Sequence, residues 1–327
     1  MSKLETSFSE ATTDPNTDER DPETVDLHSR APPNATQNTI NVLNEALKGN
    51  FDPIEKVRAS QSTPISEGVK NFNDYVNFEN TKILTRHYYP NNCDDPNRLP
   101  LMIFIHGGGW CLSSVEHRNH FASELAKRHN LEVVSINNSL SPDVKFGRAL
   151  DEQFAVYLHL LKQSSDSRLI FLCGDSSGGN QVPCLTHKII DNKVSKPTAI
   201  LLFYPVIDLI NDYPSYKIYK SGFSLDYDLM RKYIECYCPD PEWRKSHLAS
   251  PILGDLHPFP PTLVITSQFD ILRNEGLAFA KKLDESGVKV RYICMESAEH
   301  GFLNHPGLKK LENICHSHIS NFLNSFI

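Results

Sequence analysis

A mostly parallel β-sheet with helices on both faces is the architecture this sequence predicts, and three observations carry it. Residues 101–105, 131–136, 169–173, 199–203 and 263–266 are short, nearly continuous apolar runs, the pattern of strands covered on both faces. Amphipathic segments at 117–129, 148–162, 181–191 and 274–286 alternate with them, as crossover helices between parallel strands do. The third run passes into Gly174-Asp175-Ser176-Ser177-Gly178 and then into helix-compatible residues, a strand, sharp turn and helix in succession.

In chain order, the first 33 residues hold eight acids against three bases, which places −5 of the total −7 charge there. Rich in Thr, Asp, Glu, Asn and Pro, with Phe8 its one aromatic residue, the segment 1–35 is expected to be a disordered acidic tail. Residues 36–327 are expected to form one domain. Within it, 38–48 puts Ile40, Leu43 and Leu47 on one helical face with Gly49 as the stop, and Asp52-Pro53 opens a second short helix. These two read as a lid element or as surface packing. Residues 75–89 alternate with period two and read as two antiparallel strands. Between 204 and 263 lie about sixty residues, rich in tyrosine, where a crossover needs far fewer. An inserted cap accounts for the excess, so cap elements are expected at about 36–70 and 207–255. A last strand at 288–294 and a helix at 308–322 close the sheet.

Composition excludes several classes. Outside the tail the charge is near balance, with no basic field for nucleic acid or an anionic membrane surface. The eight cysteines are scattered without zinc-ligand spacing, which fits reduced, packed thiols in a cytoplasmic protein and no metal. The acidic N-terminus resembles neither a signal nor a transit peptide. No apolar run approaches the ~20 residues of a membrane helix, so no stable membrane insertion is expected.

The chemistry-bearing residues follow the strand ends. Ser176 sits on the sharp turn, between Gly174 and Gly178, which leave the turn room that a Cβ would fill. A lone G-x-S-x-G also arises in ordinary Gly/Ser loops; the strand before it and the helix after it favour a nucleophile elbow. Run 101–105 ends in His106-Gly107-Gly108-Gly109-Trp110, where consecutive glycines let backbone N–H groups approach a ligand. The amides of Gly108, Gly109 and Ser177 are the expected oxyanion donors. His106, Gly107 and Asp175 are expected to support them. The acid and the base should follow the serine in that order. Asp270, after run 263–266, and His300, after run 288–294, stand at the strand ends where such sheets carry their sites. His305 is the nearest rival to His300, and Asp208 and Asp255 are weaker rivals to Asp270. Glu296 and Glu299 read as solvated acids near the pocket.

On these segments, together with Phe269-Asp270-Ile271-Leu272-Arg273-Asn274-Glu275-Gly276, Glu299-His300-Gly301-Phe302 and Tyr204-Pro205-Val206-Ile207-Asp208, the stretch 100–305 resembles the hormone-sensitive-lipase-like branch of the α/β-hydrolases. That branch includes bacterial esterases, arylacetamide deacetylases and plant carboxylesterases. The resemblance implies an α/β-hydrolase fold with a helical cap and a Ser176–Asp270–His300 triad. It also implies an acyl pocket between the oxyanion loop and the cap, usually for short acyl groups. Trp110 and the aromatic cap segment point to an apolar substrate, and sterol-acetate deacetylation is one option left open. Where the family has Tyr-Arg-Leu-Ala-Pro-Glu, this chain has Asn138-Ser139-Leu140-Ser141-Pro142-Asp143, a departure in local bracing and not in a catalytic group.

The leading expectation is a serine carboxylic-ester hydrolase that needs no cofactor and whose partner is a small-molecule ester. An amidase of the arylformamidase type is the second enzyme reading, disfavoured by the third glycine and by the Asp before the serine. A ligand receptor on the same fold is the non-enzymatic one, disfavoured by the presence of His300. Homodimers through edge-strand or cap contacts are frequent in the family, and nothing in the sequence selects one.

Overall fold

The computed structural model describes residues 5–10, 20–30, 32 and 34–327. Strand β1 (Ser7–Ser9) and helix α1 (Pro22–Ser29) lie in the stretch expected to be disordered. Both are tied to the body of the protein. β1 pairs in parallel with the strand spanning Val290–Glu299, and Phe8 packs on Tyr292 at 5.9 Å between ring centroids. Asp21 donates its N–H to the Ser297 carbonyl and is buried, as is Thr24. The composition argument misses this because a few long-range contacts, not local apolar content, offset the ordering entropy there. Residues 1–4, 11–19, 31 and 33 of the expected tail fall outside the described residues.

Helices α2 (Ala35–Leu47) and α3 (Asp52–Ser60) follow, then the antiparallel pair β2 (Val69–Phe78) and β3 (Thr81–Pro90). The alternating core comes next: β4 (Leu101–Ile105), α4 (Asn119–His129), β5 (Glu132–Asn137), α5 (Arg148–Gln163), β6 (Ile170–Asp175), α6 (Ser177–Asp191) and β7 (Ala199–Phe203). The long connection carries α7 (Pro214–Ile218) and α8 (Tyr227–Tyr237), and the chain ends with β8 (Thr262–Phe269), α9 (Arg273–Glu285), β9 (Val290–Glu299) and α10 (Lys309–Leu323). Among the described residues one sheet has the order β1-β9-β8-β7-β6-β4-β5-β3-β2, parallel except where β3 meets β2 and β5. This is the α/β-hydrolase fold expected.

Strand alternation divides the core in two. Leu101, Ile103 and Ile105 of β4 face one side with Ile170 and Leu172 of β6, under α5, α6 and α9. Met102 and Phe104 face the other with Phe171 and Cys173, under α4 and α10. A third apolar cluster joins Leu43, Ala46 and Ile54 of α2 and α3 to Leu229, Met230, Tyr233 and Ile234 of α8. It rests on Trp110, Val206, Phe269 and Ile271, residues at or just beyond the C-terminal ends of β4, β7 and β8. Full burial of a side chain such as Leu43 stabilises this contact by about 1.5–3 kcal/mol.

Candidate active site

Ser176 stands between β6 and α6 with φ 54° and ψ −118°, a backbone state that costs a non-glycine residue about 1–3 kcal/mol. Hydrogen bonds hold it there. Its N–H donates to the Phe203 carbonyl at 2.9 Å, and its own carbonyl accepts from Asn180 and Val206. A Cβ at Gly178 would lie 2.1 Å from the Ile105 carbonyl oxygen, so only glycine lets α6 start this close to β4.

The sheet brings the other two side chains to the serine. Ser176 Oγ is 2.9 Å from His300 Nε2, and His300 Nδ1 is 2.7 Å from Asp270 Oδ2. A carboxylate facing Nδ1 fixes the proton on that nitrogen, leaving Nε2 to accept from the serine hydroxyl. Asp270 is fully buried, and its Oδ1 accepts the Leu272 N–H at 2.9 Å. The Tyr204 ring meets the imidazole edge-on at 5.0 Å. Sequence periodicity ends the last two strands at 266 and 294, but both run further: β8 to Phe269 and β9 to Glu299, so Asp270 and His300 are the first residues beyond paired backbone. An irregularity in the β8–β9 register permits this. Ser297 takes a positive φ there and donates its N–H to Gln268 Oε1.

The glycine loop after β4 is pinned to the elbow at two points. Gly107 N–H donates to Asp175 Oδ1 at 2.7 Å, and Trp110 N–H donates to Ser177 Oγ at 3.1 Å. Gly108 and Gly109 both have positive φ, and a Cβ on Gly109 would sit 2.3 Å from the Tyr233 ring. The amides of Gly108, Gly109 and Ser177 have no acceptor among the described residues. His106 contacts the loop and not Ser176, Asp270 or His300: its Nδ1 lies 2.8 Å from the Gly107 carbonyl, and burial pushes the imidazole pKa down. Asp175 is fully buried and forms an ion pair with buried Arg118 at 3.3 Å. Trp110 stacks on Tyr237 of α8 at 4.4 Å with the rings parallel.

Ser176, His300, Gly108, Gly109 and Ser177 line one cavity of about 160 Å³, together with Leu229, Met230 and Tyr233 of α8. Several of its supports carry no sequence signature. Arg118 enters the cavity from the turn before α4. Arg58 of α3 bonds the Cys111 and Ser141 carbonyls and pairs with Asp143 at 2.7 Å. With Ser139, whose N–H and hydroxyl both donate to Glu152, it supplies the bracing at the departure from the family pattern. Glu299 corrects the expectation of a solvated acid. It is buried and accepts the Ser224 N–H at 2.7 Å and the Ser224 hydroxyl at 2.9 Å.

Among the described residues no group of three or more His, Cys, Asp or Glu side chains is placed to hold a metal ion, and no helix is long and apolar enough to cross a membrane. The family model of the alpha/beta hydrolase fold matches residues 102–304. Lipase 2 of Moraxella sp. (strain TA144) is 31% identical over 244 residues, 63% of this chain and 56% of the lipase, so the chain spans little more than half of that relative's length. Carboxyl esterase 2 from the fungus Tuber melanosporum shares the fold at a TM-score of 0.81 and 22% identity, over 94% of this chain and all of that one. The Pyrobaculum calidifontis esterase is similar at a TM-score of 0.78 and 26% identity, over 94% and 98% of the two chains. With the family model matching well over half of its length, the chain belongs to the α/β-hydrolase fold family.

Proposed function

We propose that the chain is a serine carboxylic-ester hydrolase acting on short-acyl esters of an apolar alcohol. The observation that carries the reading is the hydrogen-bonded line Ser176–His300–Asp270, beside a cavity lined also by Gly108, Gly109 and Ser177, whose amides have no acceptor among the described residues. Ser176 Oγ attacks the ester carbonyl while His300 Nε2 takes its proton, and Asp270 stabilises the imidazolium. The negative charge that forms on the carbonyl oxygen lies against the amides of Gly108, Gly109 and Ser177, at the positive N-terminus of α6. His300 returns the proton to the departing alcohol. A water then gives its proton to His300 and attacks the acyl-serine, and as the bond to Oγ breaks His300 returns that proton to Ser176, freeing the serine and the acid. Side chains and water carry every proton, so no step calls for a cofactor.

Clusters α2–α3 and α7–α8 act as the cap in this reading. The cavity beneath them is about 160 Å³, a size that suits a short acyl group. Its apolar wall suits a substrate without charge on that arm.

Turnover of p-nitrophenyl esters from acetate to dodecanoate, with fluorophosphonate labelling, tests the proposal against the Ser176→Ala variant. The wild type should be labelled and should favour the short esters. The variant should lose labelling and about 10⁶-fold in kcat. A wild-type protein that neither labels nor turns over would shift the reading to a ligand receptor, and faster turnover of an aryl formamide than of any ester would shift it to an amidase.

A further inference from the structure

A second cavity, of about 280 Å³, shares two lining residues with the first, His300 and Ser224. Its other walls are Thr24, Leu27 and Arg30 on one side, and Glu299, Phe302, His305 and Leu308 on the other. Neither Ser176 nor the glycine loop borders it. The segment 20–30 that closes it is anchored onto the strand end that delivers the catalytic histidine. Arg20 pairs with Glu299 at 3.4 Å and lies over the Phe223 ring at 5.6 Å, while Asp21 bonds the Ser297 carbonyl. Glu299 also holds Ser224 of the long β7–β8 connection. One buried carboxylate therefore ties together the N-terminal segment, the cap and the residue preceding His300.

We infer that this second cavity is the leaving-group site, and that α1 is its outer wall and selects the alcohol. The inference rests on the hydrolase reading and adds to it the identity of each arm's pocket. When the tetrahedral intermediate collapses, the proton on His300 Nε2 must pass to the alcohol oxygen, so that oxygen lies on the histidine side. The oxyanion is committed to the amides of the glycine loop. The acyl arm is then left with the cavity under Tyr233, and the alcohol arm with the space beyond His300. Size agrees with this division, since the second cavity is the larger, about 280 Å³ against about 160 Å³. The substrate class that fits is a short-acyl ester of a cyclic or branched, mainly apolar alcohol.

The test varies one arm at a time. Acetates of methanol, butanol, cyclohexanol and 1-naphthol are compared with ethyl esters from acetate to octanoate, for wild type, Leu27→Trp and Leu27→Ala. Leu27 is half-buried on α1 and packs on the apolar layer under α4 and α10, and both variants replace it with another apolar residue. Filling the cavity with Trp should lower the ratio of kcat/KM for naphthyl over methyl acetate by about tenfold or more, the usual effect of a few atoms in an apolar pocket. The acyl-chain profile should keep its shape. Leu27→Ala should raise the naphthyl-to-methyl ratio, a gain that misfolding does not produce. A change in the acyl profile instead, or equal losses for all esters in both variants, would overturn the assignment. Wild-type protein that turns over no ester and is not labelled at Ser176 would instead remove the hydrolase reading and the assignment with it.

Discussion

Replacing Asp175 by Asn separates the charge of this residue from its shape. Asn keeps an oxygen for the Gly107 N–H, so the glycine loop stays pinned to the elbow. What it removes is the negative partner of Arg118, which is itself buried. The other group bonded to that guanidinium is His117 Nδ1 at 3.1 Å, and burial together with the Arg118 charge pushes that imidazole down to about 3, so it is neutral and compensates nothing. At 3.3 Å with an effective dielectric constant of ~20, the lost attraction is about 5 kcal/mol. Measured costs of orphaning one member of a buried pair are about 3–5 kcal/mol. With an unfolding entropy of about 2.1 cal/mol/K per residue over 327 residues, that loss lowers Tm by about 4–7 °C. Scanning calorimetry at neutral pH measures it. Removing both charges, in Asp175→Asn with Arg118→Met, should restore most of the lost stability, because no unpaired buried charge remains. A single variant within about 1 kcal/mol of wild type, or a double variant no more stable than the single, would refute the reasoning. Asp175→Ala goes further by also orphaning the Gly107 N–H, and it should cost activity that Asp175→Asn retains.

Two further outcomes follow from the same geometry. Gly109→Ala places a methyl group inside van der Waals contact of the Tyr233 ring at a positive φ, so the amide must shift; kcat should fall about 10²–10³-fold, and full turnover would remove this amide from the oxyanion hole. Glu275 is fully buried, and burial drives its pKa well above 4.5 even though its Oε1 accepts the Ile207 N–H and its Oε2 the Tyr216 hydroxyl. A carboxyl whose folded-state pKa is raised favours folding while protonated and loses that contribution as pH rises through the folded value. Glu275→Gln lacks this titration, so its Tm relative to wild type should climb as pH increases above 4.5; a difference independent of pH would contradict the assignment.

Much of the architecture was legible because it is written in local periodicity. Apolar runs longer than alternation allows marked β4, β6 and β7 within one or two residues, and glycines flanking Ser176 marked a turn that only they permit. The same local reading stopped β8 and β9 too early. Phe269 and Glu299 are strand residues because they pair across a register irregularity with each other, and neither signals this alone. It also left Glu299 solvated and the segment 20–30 unstructured, since Arg20, Asp21 and Glu299 become a unit only when residues almost 280 positions apart meet.

Residue types and their short spacings picked out the side chains able to do chemistry: a serine on a glycine-flanked turn, a glycine run after a strand, and an acid and a histidine at later strand ends. These are properties of residue type and short spacing, which survive without any knowledge of the fold. The 2.9 Å and 2.7 Å contacts that join Ser176, His300 and Asp270, the burial of Arg118 against Asp175, and the two unequal cavities that both border His300 arise only in the folded chain. Each of these depends on several distant segments packing at once, and burial, charge pairing and cavity shape exist only after that packing has occurred.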